Sequence, residues 1–287
     1  MVRSNPVMDV EVVANYGCNT GEGPLWDHRR GVLYWVDIYN GRLFRYDPAE
    51  DTHDIRYEND AFDIGGITLH AGGGLLLFGE KGRVMSWEDG RTTTVVDELP
   101  PERHTRFNDV IADPEGRVFC GTKATEQQSG RLYRLDLDGS FHPVVEDVGL
   151  SNGLGFTLDL DNLYFTDSAD NRIYKYDYDK ATGEISNRRT FVDTSGKDGI
   201  PDGLTVDARG DVWSAQYEDE AIYRYGSDGT EEEKIPIPGA VQTTSVMFGG
   251  VGLDELFVTS GGGHLNGDQG TNAGALFRVE PGVTGRR

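Results

Sequence analysis

The sequence predicts an all-β fold, a six-bladed β-propeller with four-stranded blades. Three observations carry this: a strand-turn-strand pattern recurs six times, equivalent positions lie 42 to 50 residues apart, and a spare strand precedes the first copy.

The innermost strand of each repeat is a short apolar run. The copies are Pro24-Leu25-Trp26, Ile67-Thr68-Leu69, Val110-Ile111-Ala112, Leu154-Gly155-Phe156, Leu204-Thr205-Val206 and Val246-Met247-Phe248. A second run follows each, from Val32-Leu33-Tyr34-Trp35 in the first repeat to Leu256-Phe257-Val258 in the last. Beyond a turn comes a third segment that alternates apolar with polar side chains, as in Arg42-Leu43-Phe44-Arg45-Tyr46 and Arg172-Ile173-Tyr174-Lys175-Tyr176. Period-two alternation of aromatic and branched residues is the signature of a strand. A weaker fourth strand trails, exemplified by Thr94-Val95-Val96, Pro143-Val144-Val145 and Thr190-Phe191-Val192. The sixth repeat ends too near the C-terminus to supply its own, so the N-terminal strand Val10-Glu11-Val12-Val13-Ala14 is expected to complete it and close the ring. Residues 1–287 then form a single domain, which large all-β units allow at this length.

Composition narrows the function. A net charge of -22 would repel a polyanion, so nucleic acid is excluded as a partner and a small or neutral substrate is expected. Only six of the 27 basic residues are lysine, and an acidic, lysine-poor surface suits a halophilic protein whose self-repulsion is screened by concentrated salt. No basic start leads into an apolar run and no stretch reaches the length of a membrane span, so the expectation is a cytoplasmic protein without membrane contact. Cys18 and Cys120 lie too far apart for a C-x-x-C pair and read as buried, inert thiols. The histidines show no i, i+4 pairing, so any metal must be held by oxygen.

The residue at the head of each innermost strand points at the channel mouth. These positions are Glu22, Gly65, Asn108, Asn152, Asp202 and Thr244. Polar residues commonly cap strand starts, which would explain any one of them. Four oxygen-bearing side chains at equivalent places around a ring are harder to explain that way, because converging carboxylates repel and need a cation. One divalent cation is predicted, with Ca²⁺, Mg²⁺ and Mn²⁺ suited by ligand hardness and Zn²⁺ also compatible.

Four motifs then acquire a common meaning: Gly21-Glu22-Gly23-Pro24-Leu25-Trp26, Arg106-Phe107-Asn108-Asp109, Leu150-Ser151-Asn152-Gly153-Leu154 and Ile200-Pro201-Asp202-Gly203-Leu204. In type and order they resemble the senescence marker protein, regucalcin and gluconolactonase family of six-bladed propellers, over nearly the whole chain. The resemblance implies that Glu22, Asn152 and Asp202 are metal ligands, that Asn108 contacts the metal or its water and the substrate, and that Arg106 binds substrate oxygens. It makes Asp202 the catalytic acid/base, with a water on the metal as the other route to the nucleophile. Gly121-Thr122 matches the start of a pocket-wall segment in which Lys123 and Glu126 are further substrate-binding candidates. Lys123 stands where an apolar residue is frequent, and the acids after it are out of the family register.

The implied reaction is metal-dependent hydrolysis of a pentono- or hexonolactone to its aldonic acid. Two other readings use the same fold: a metal-stabilised interaction propeller without catalysis, and an esterase or organophosphate hydrolase with a more apolar mouth. Two long loops are expected to wall the pocket, Thr122 to Ser129, and Gly261 to Asn272 with His264, Asn266 and Asp268. Sequence alone leaves the oligomeric state open.

Overall fold

Apolar runs and alternating segments both become strands in the computed structural model, which describes residues 8–263 and 269–286. The N-terminal strand is β1 (Val10–Asn15). Four separate four-stranded sheets follow: β2 (Gly21–Asp27), β3 (Val32–Asp37), β4 (Arg42–Asp47) and β5 (Thr52–Glu58); β6 (Ile64–Leu69), β7 (Leu75–Gly79), β8 (Val84–Glu88) and β9 (Arg91–Val96); β10 (Phe107–Ala112), β11 (Val118–Thr122), β12 (Gly130–Leu135) and β13 (Phe141–Val148); β14 (Ser151–Phe156), β15 (Asn162–Asp167), β16 (Arg172–Tyr178) and β17 (Ile185–Asp193). The last strands are β18 (Ile200–Val206), β19 (Val212–Tyr217), β20 (Ala221–Tyr225), β21 (Glu231–Pro236), β22 (Gln242–Gly249), β23 (Glu255–Gly261) and β24 (Ala275–Val279). Helix is confined to short 3₁₀ turns at Pro100–Glu102 and Ser168–Asp170 among the described residues. Among the described residues no helix is long and apolar enough to cross a membrane.

The architecture is all-β and propeller-like, with one departure from the expected sheet count. Strands β18 to β24 and β1 form a single eight-stranded sheet instead of two four-stranded ones. The cause is local: Tyr217 at the end of β19 pairs with Gln242 at the start of β22, and that one ladder step joins the fifth repeat to the sixth. β1 pairs antiparallel with β24, Val10 opposite Val279 and Asn15 opposite Ala275.

The core lies between neighbouring repeats. Val36, Leu43 and Tyr34 of the first repeat pack with Ile67, Leu77 and Trp87 of the second. Trp26, Trp35 and Phe44 of the first pack with Phe257 and Leu276 of the last. Each such large side chain, taken out of water, contributes about 1.5–3 kcal/mol. Because β3 is buried along its whole length while β5 is largely exposed, the inner strands read as continuous apolar runs and the outer ones give only a faint signal.

Strands β2, β6, β10, β14, β18 and β22 neighbour one another in sequence, and β22 in turn neighbours β2. Every one carries a register shift near its start, between Glu22 and Leu25, Ile64 and Gly66, Asn108 and Val110, Ser151 and Leu154, Pro201 and Leu204, and Thr243 and Ser245. A bulge re-aims a side chain that the pleat would otherwise turn into a sheet face. The six predicted ring positions therefore lie inside the strands, at or beside these shifts, and not ahead of them.

Glycines permit the close approach of these strands. A Cβ on Gly65 would stand 1.8 Å from the Phe107 carbonyl oxygen and 3.1 Å from Arg106 Nη1. One on Gly121 would meet Ser151 Oγ at 1.6 Å. Both gaps sit next to the site described below.

Candidate functional site

Two aspartates at equivalent places in the repeat secure the backbone ahead of two ring positions. Asp37 accepts from the backbone N–H groups of Asn19 and Thr20, both at 3.1 Å, just before Glu22. Asp167 does the same for Gly149 and Leu150 at 3.0 and 2.9 Å, just before Asn152. Each carboxylate takes up two amides that a strand start would leave without a partner.

Of the six ring positions, two do not present a functional group. Gly65 provides the space that the Arg106 guanidinium borders, and the Thr244 hydroxyl donates to the Gly21 carbonyl at 2.6 Å, tying β22 to β2. Glu22, Asn108, Asn152 and Asp202 are all buried. Ser168 orients Asn152: the Asn152 Nδ2 donates to Ser168 Oγ at 2.7 Å, and that hydroxyl donates to the Pro201 carbonyl at 2.5 Å. This leaves Asn152 Oδ1 turned toward Asn108, whose Nδ2 donates to it at 2.5 Å and to the Ser151 carbonyl at 2.6 Å.

Arg106 fills the other end of Asn108. Its Nη1 donates to Asn108 Oδ1 at 2.5 Å and to the Phe107 carbonyl at 2.9 Å, while Nη2 reaches the Tyr39 hydroxyl at 3.4 Å. The guanidinium also lies over the Tyr39 ring, 5.3 Å from its centre, with Asp63 Oδ2 at 3.7 Å from Nε. Burial opposes ionisation of the Tyr39 phenol, but Arg106 and Lys123 outweigh it and hold its pKa below the ordinary tyrosine value.

Carboxyl groups crowd the same centre. Burial, then the charges of Asp202 and Asp109, push Glu22 well above the usual carboxylate range. Burial and Asp109 do the same to Asp202. Asp109 is itself raised to about 7, by burial, with Arg106 opposing. Among the described residues Asp202 Oδ1 is buried without any hydrogen-bond partner, while Glu22 Oε2 accepts the N–H of Gly23, at 2.8 Å. Among the described residues no three His, Cys, Asp or Glu side chains form a metal cage by themselves. The donors here are instead two carboxylates and an amide oxygen. An unpartnered buried acceptor between mutually repelling carboxyls is a deficit of positive charge, and a hard divalent cation fits it.

Residues 20–262 match the profile described as SMP-30/Gluconolactonase/LRE-like region. The chain belongs to this family. It is 44% identical to "Pentonolactonase XacC" of Haloferax volcanii over 288 residues, 97% of each chain. It is 36% identical to regucalcin of Xenopus laevis over 262 residues, covering 88% of this chain and 86% of that one. The solved structure of a calcium-binding protein, regucalcin, from Agrobacterium tumefaciens superposes with a TM-score of 0.89 at 26% identity, covering 97% and 96%.

The motifs that carry the SMP-30/gluconolactonase resemblance meet at this one centre, but not every residue predicted with them does. Lys123 lies near Tyr39 and is half-buried, its backbone carbonyl accepting from Thr105 Oγ1 at 2.7 Å. Glu126 is exposed on its loop. His264, Asn266 and Asp268 lie outside the described residues. Cys18 and Cys120 are buried free thiols, and burial pushes Cys18 up to about 12.

Three neighbours were given no role from the sequence: Asp109, which stands in one of the quoted motifs, Tyr39 and Ser168. Asp109 had a signal. The residue after each ring position is glycine in four repeats, Gly23, Gly66, Gly153 and Gly203, whereas the third repeat has Asp109. Its φ of +48° matches the +56° of Gly23, a left-handed conformation that aspartate tolerates better than most residues. Tyr39 and Ser168 reach the centre from loops beyond β3 and β15, and nothing local in the sequence distinguishes them.

Proposed function

We propose that this chain is a divalent-metal-dependent lactonase that opens a sugar lactone, pentono- or hexonolactone, to the aldonic acid. One observation carries the reading: the unpartnered Asp202 Oδ1, among raised carboxyls, lies in the same buried centre as the Arg106 guanidinium. The name of the Haloferax volcanii relative favours pentonolactones within that class. We read the eight-stranded sheet as two blades bridged by Tyr217 and Gln242, so that residues 1–287 form one six-bladed ring closed by β1.

In this reading Glu22, Asn152 and Asp202 hold the cation, of which Ca²⁺, Mg²⁺, Mn²⁺ and Zn²⁺ are the candidates. Bound there, it supplies Lewis-acid polarisation of the lactone carbonyl. Asn108 holds Arg106 through its Oδ1 and Asn152 through its Nδ2, so it orients two partners, and the second lone pair of its Oδ1 would face the cation or its water. Arg106 donates to ring or hydroxyl oxygens of the substrate, with Lys123 and Tyr39 beside it. Asp202 takes a proton from the attacking water and returns it to the ring oxygen as the ester C–O bond breaks. Lactone and water are thereby consumed and the hydroxy acid released, with no net change at the protein.

A hydrolysis panel tests the reading: pentono- and hexonolactones, an aryl ester and an organophosphate, each with chelator-stripped protein and single divalent metals added back. Metal-restored turnover of sugar lactones is expected. Turnover confined to the ester or organophosphate, or none with any metal, rejects it.

A further inference from the structure

The channel strands have a second end, and a pocket opens there. It has a volume of about 560 Å³ and is walled by Trp26, Met247, Phe248 and Leu253, with His28 and Arg286 also lining it. Trp26 and Met247 follow Glu22 and Thr244 along β2 and β22, so the pocket and the carboxyl centre sit toward opposite ends of the same strands.

The C-terminal segment fixes Arg286 in that wall. Gly285 N–H donates to the Leu253 carbonyl at 2.7 Å, Ala208 N–H donates to the Thr284 carbonyl at 2.8 Å, and Val283 is buried. Arg286 Nη1 then donates to the Phe156 and Thr157 carbonyls at 3.2 and 2.7 Å. Among the described residues Nε and Nη2 have no hydrogen bond and no carboxylate pairs with this guanidinium. Of the acids next to pocket residues in sequence, Asp27 pairs with Arg30 at 3.0 Å and Glu255 with Arg278 at 3.0 Å, while Asp254 is exposed and makes no ion pair with Arg286. Burial opposes the charge of Arg286, so an anion brought to it would be drawn strongly.

We propose that this pocket binds a small monocarboxylate with an apolar tail. The guanidinium offers two N–H donors in the fork geometry that a carboxylate accepts, and Trp26, Met247, Phe248 and Leu253 cover a hydrocarbon body. A polyhydroxylated acid does not suit these walls, because its hydroxyl groups would lose water without gaining partners. The pocket is thus distinct from the lactone site in the chemistry it recognises, and it does not depend on the lactonase reading.

Calorimetric titration with octanoate, octanol and acetate tests the proposal, octanol lacking the charge and acetate the tail. Octanoate is expected to bind one to one, at least about tenfold tighter than either control, because a charge-assisted pair and a buried tail act together. Arg286→Gln keeps a donor for the Phe156 and Thr157 carbonyls, and should reduce octanoate to the level of octanol with lactone turnover unchanged. If that variant does not fold, Val251→Asp serves. Val251 is 96% exposed at the rim, so the change spares the fold and should weaken octanoate while leaving octanol unaltered. Equal binding of octanoate and octanol by the unmodified protein, or an undiminished octanoate affinity in the variant that folds, overturns the proposal.

Discussion

Arg106 and Asn108 are joined by a hydrogen bond of 2.5 Å from Nη1 to Oδ1, and that bond decides which end of the Asn108 amide faces Asn152. The guanidinium takes the oxygen, so the nitrogen faces the ring. In the proposed reading, substrate binding by Arg106 and the geometry of the carboxyl centre are therefore linked through one side chain.

Replacing Arg106 with alanine should raise KM at least about tenfold and lower kcat less, since a hydrogen bond from a charged donor is worth about 1.5–3 kcal/mol. Lysine should not restore it. Arginine reaches Phe107 O and Asn108 Oδ1 from Nη1 and Tyr39 Oη from Nη2, and an ammonium, with all its donors on one nitrogen, does not reproduce that planar fork. Steady-state kinetics decide the matter, and unaltered constants in Arg106→Ala would remove this residue from the substrate pocket.

Asp202→Asn should lower kcat by at least about a hundredfold, with Glu22→Gln similar, and chelation should abolish turnover. In chelated protein at pH 8 the same Asp202→Asn change should raise Tm, because it removes a buried carboxyl group whose Oδ1 lacks a partner and whose ionisation burial and Asp109 oppose. Full activity after chelation would contradict the metal requirement. A lowered Tm would contradict the account of Asp202 as a destabilising charge.

Glu22, Asp109 and Asp202 all have raised pKa values, so the metal-free folded state holds more protons than the unfolded chain above about pH 4. Their contribution to stability accordingly falls as pH rises from there, through the Asp109 value of about 7. Chelated Asp109→Asn should lose less stability than chelated wild type between pH 5 and pH 8 in denaturant titrations. Metal affinity should rise over the same interval, because the cation displaces those protons. Parallel stability profiles for the two chelated proteins would show that Asp109 is not a titrating group in this range.

Molar KCl should raise Tm, because a net charge of -22 repels itself and salt screens that repulsion. Thermal melts between 0.1 and 3 M KCl check this, these concentrations spanning Debye lengths from about 10 Å to below about 3 Å. A Tm indifferent to salt would leave the acidic surface without a halophilic role.

Much of the site was legible because the repeat is regular. Glu22, Asn108, Asn152 and Asp202 stand at matching places in successive repeats, and spacing alone aligned them. Asp109 was passed over because strand alternation assigns the residue after a ring position to the other face. The bulge between Asn108 and Val110 breaks that rule, and no period-two pattern announces it. Tyr39 and Ser168 were invisible for a different reason: their partners Arg106 and Asn152 are 67 and 16 residues away, across folded loops.

By itself the sequence determined the strands, their sixfold recurrence and which residue types stand at the ring positions, since side-chain alternation and turn residues act over a few neighbours. Only the tertiary structure decided that Asn108 gives its oxygen to Arg106, that Tyr217 and Gln242 join two repeats into one sheet, and that Asp202 Oδ1 is left without a partner. Each of those depends on groups brought together from distant parts of the chain, where burial strengthens charge interactions and sets which donor meets which acceptor.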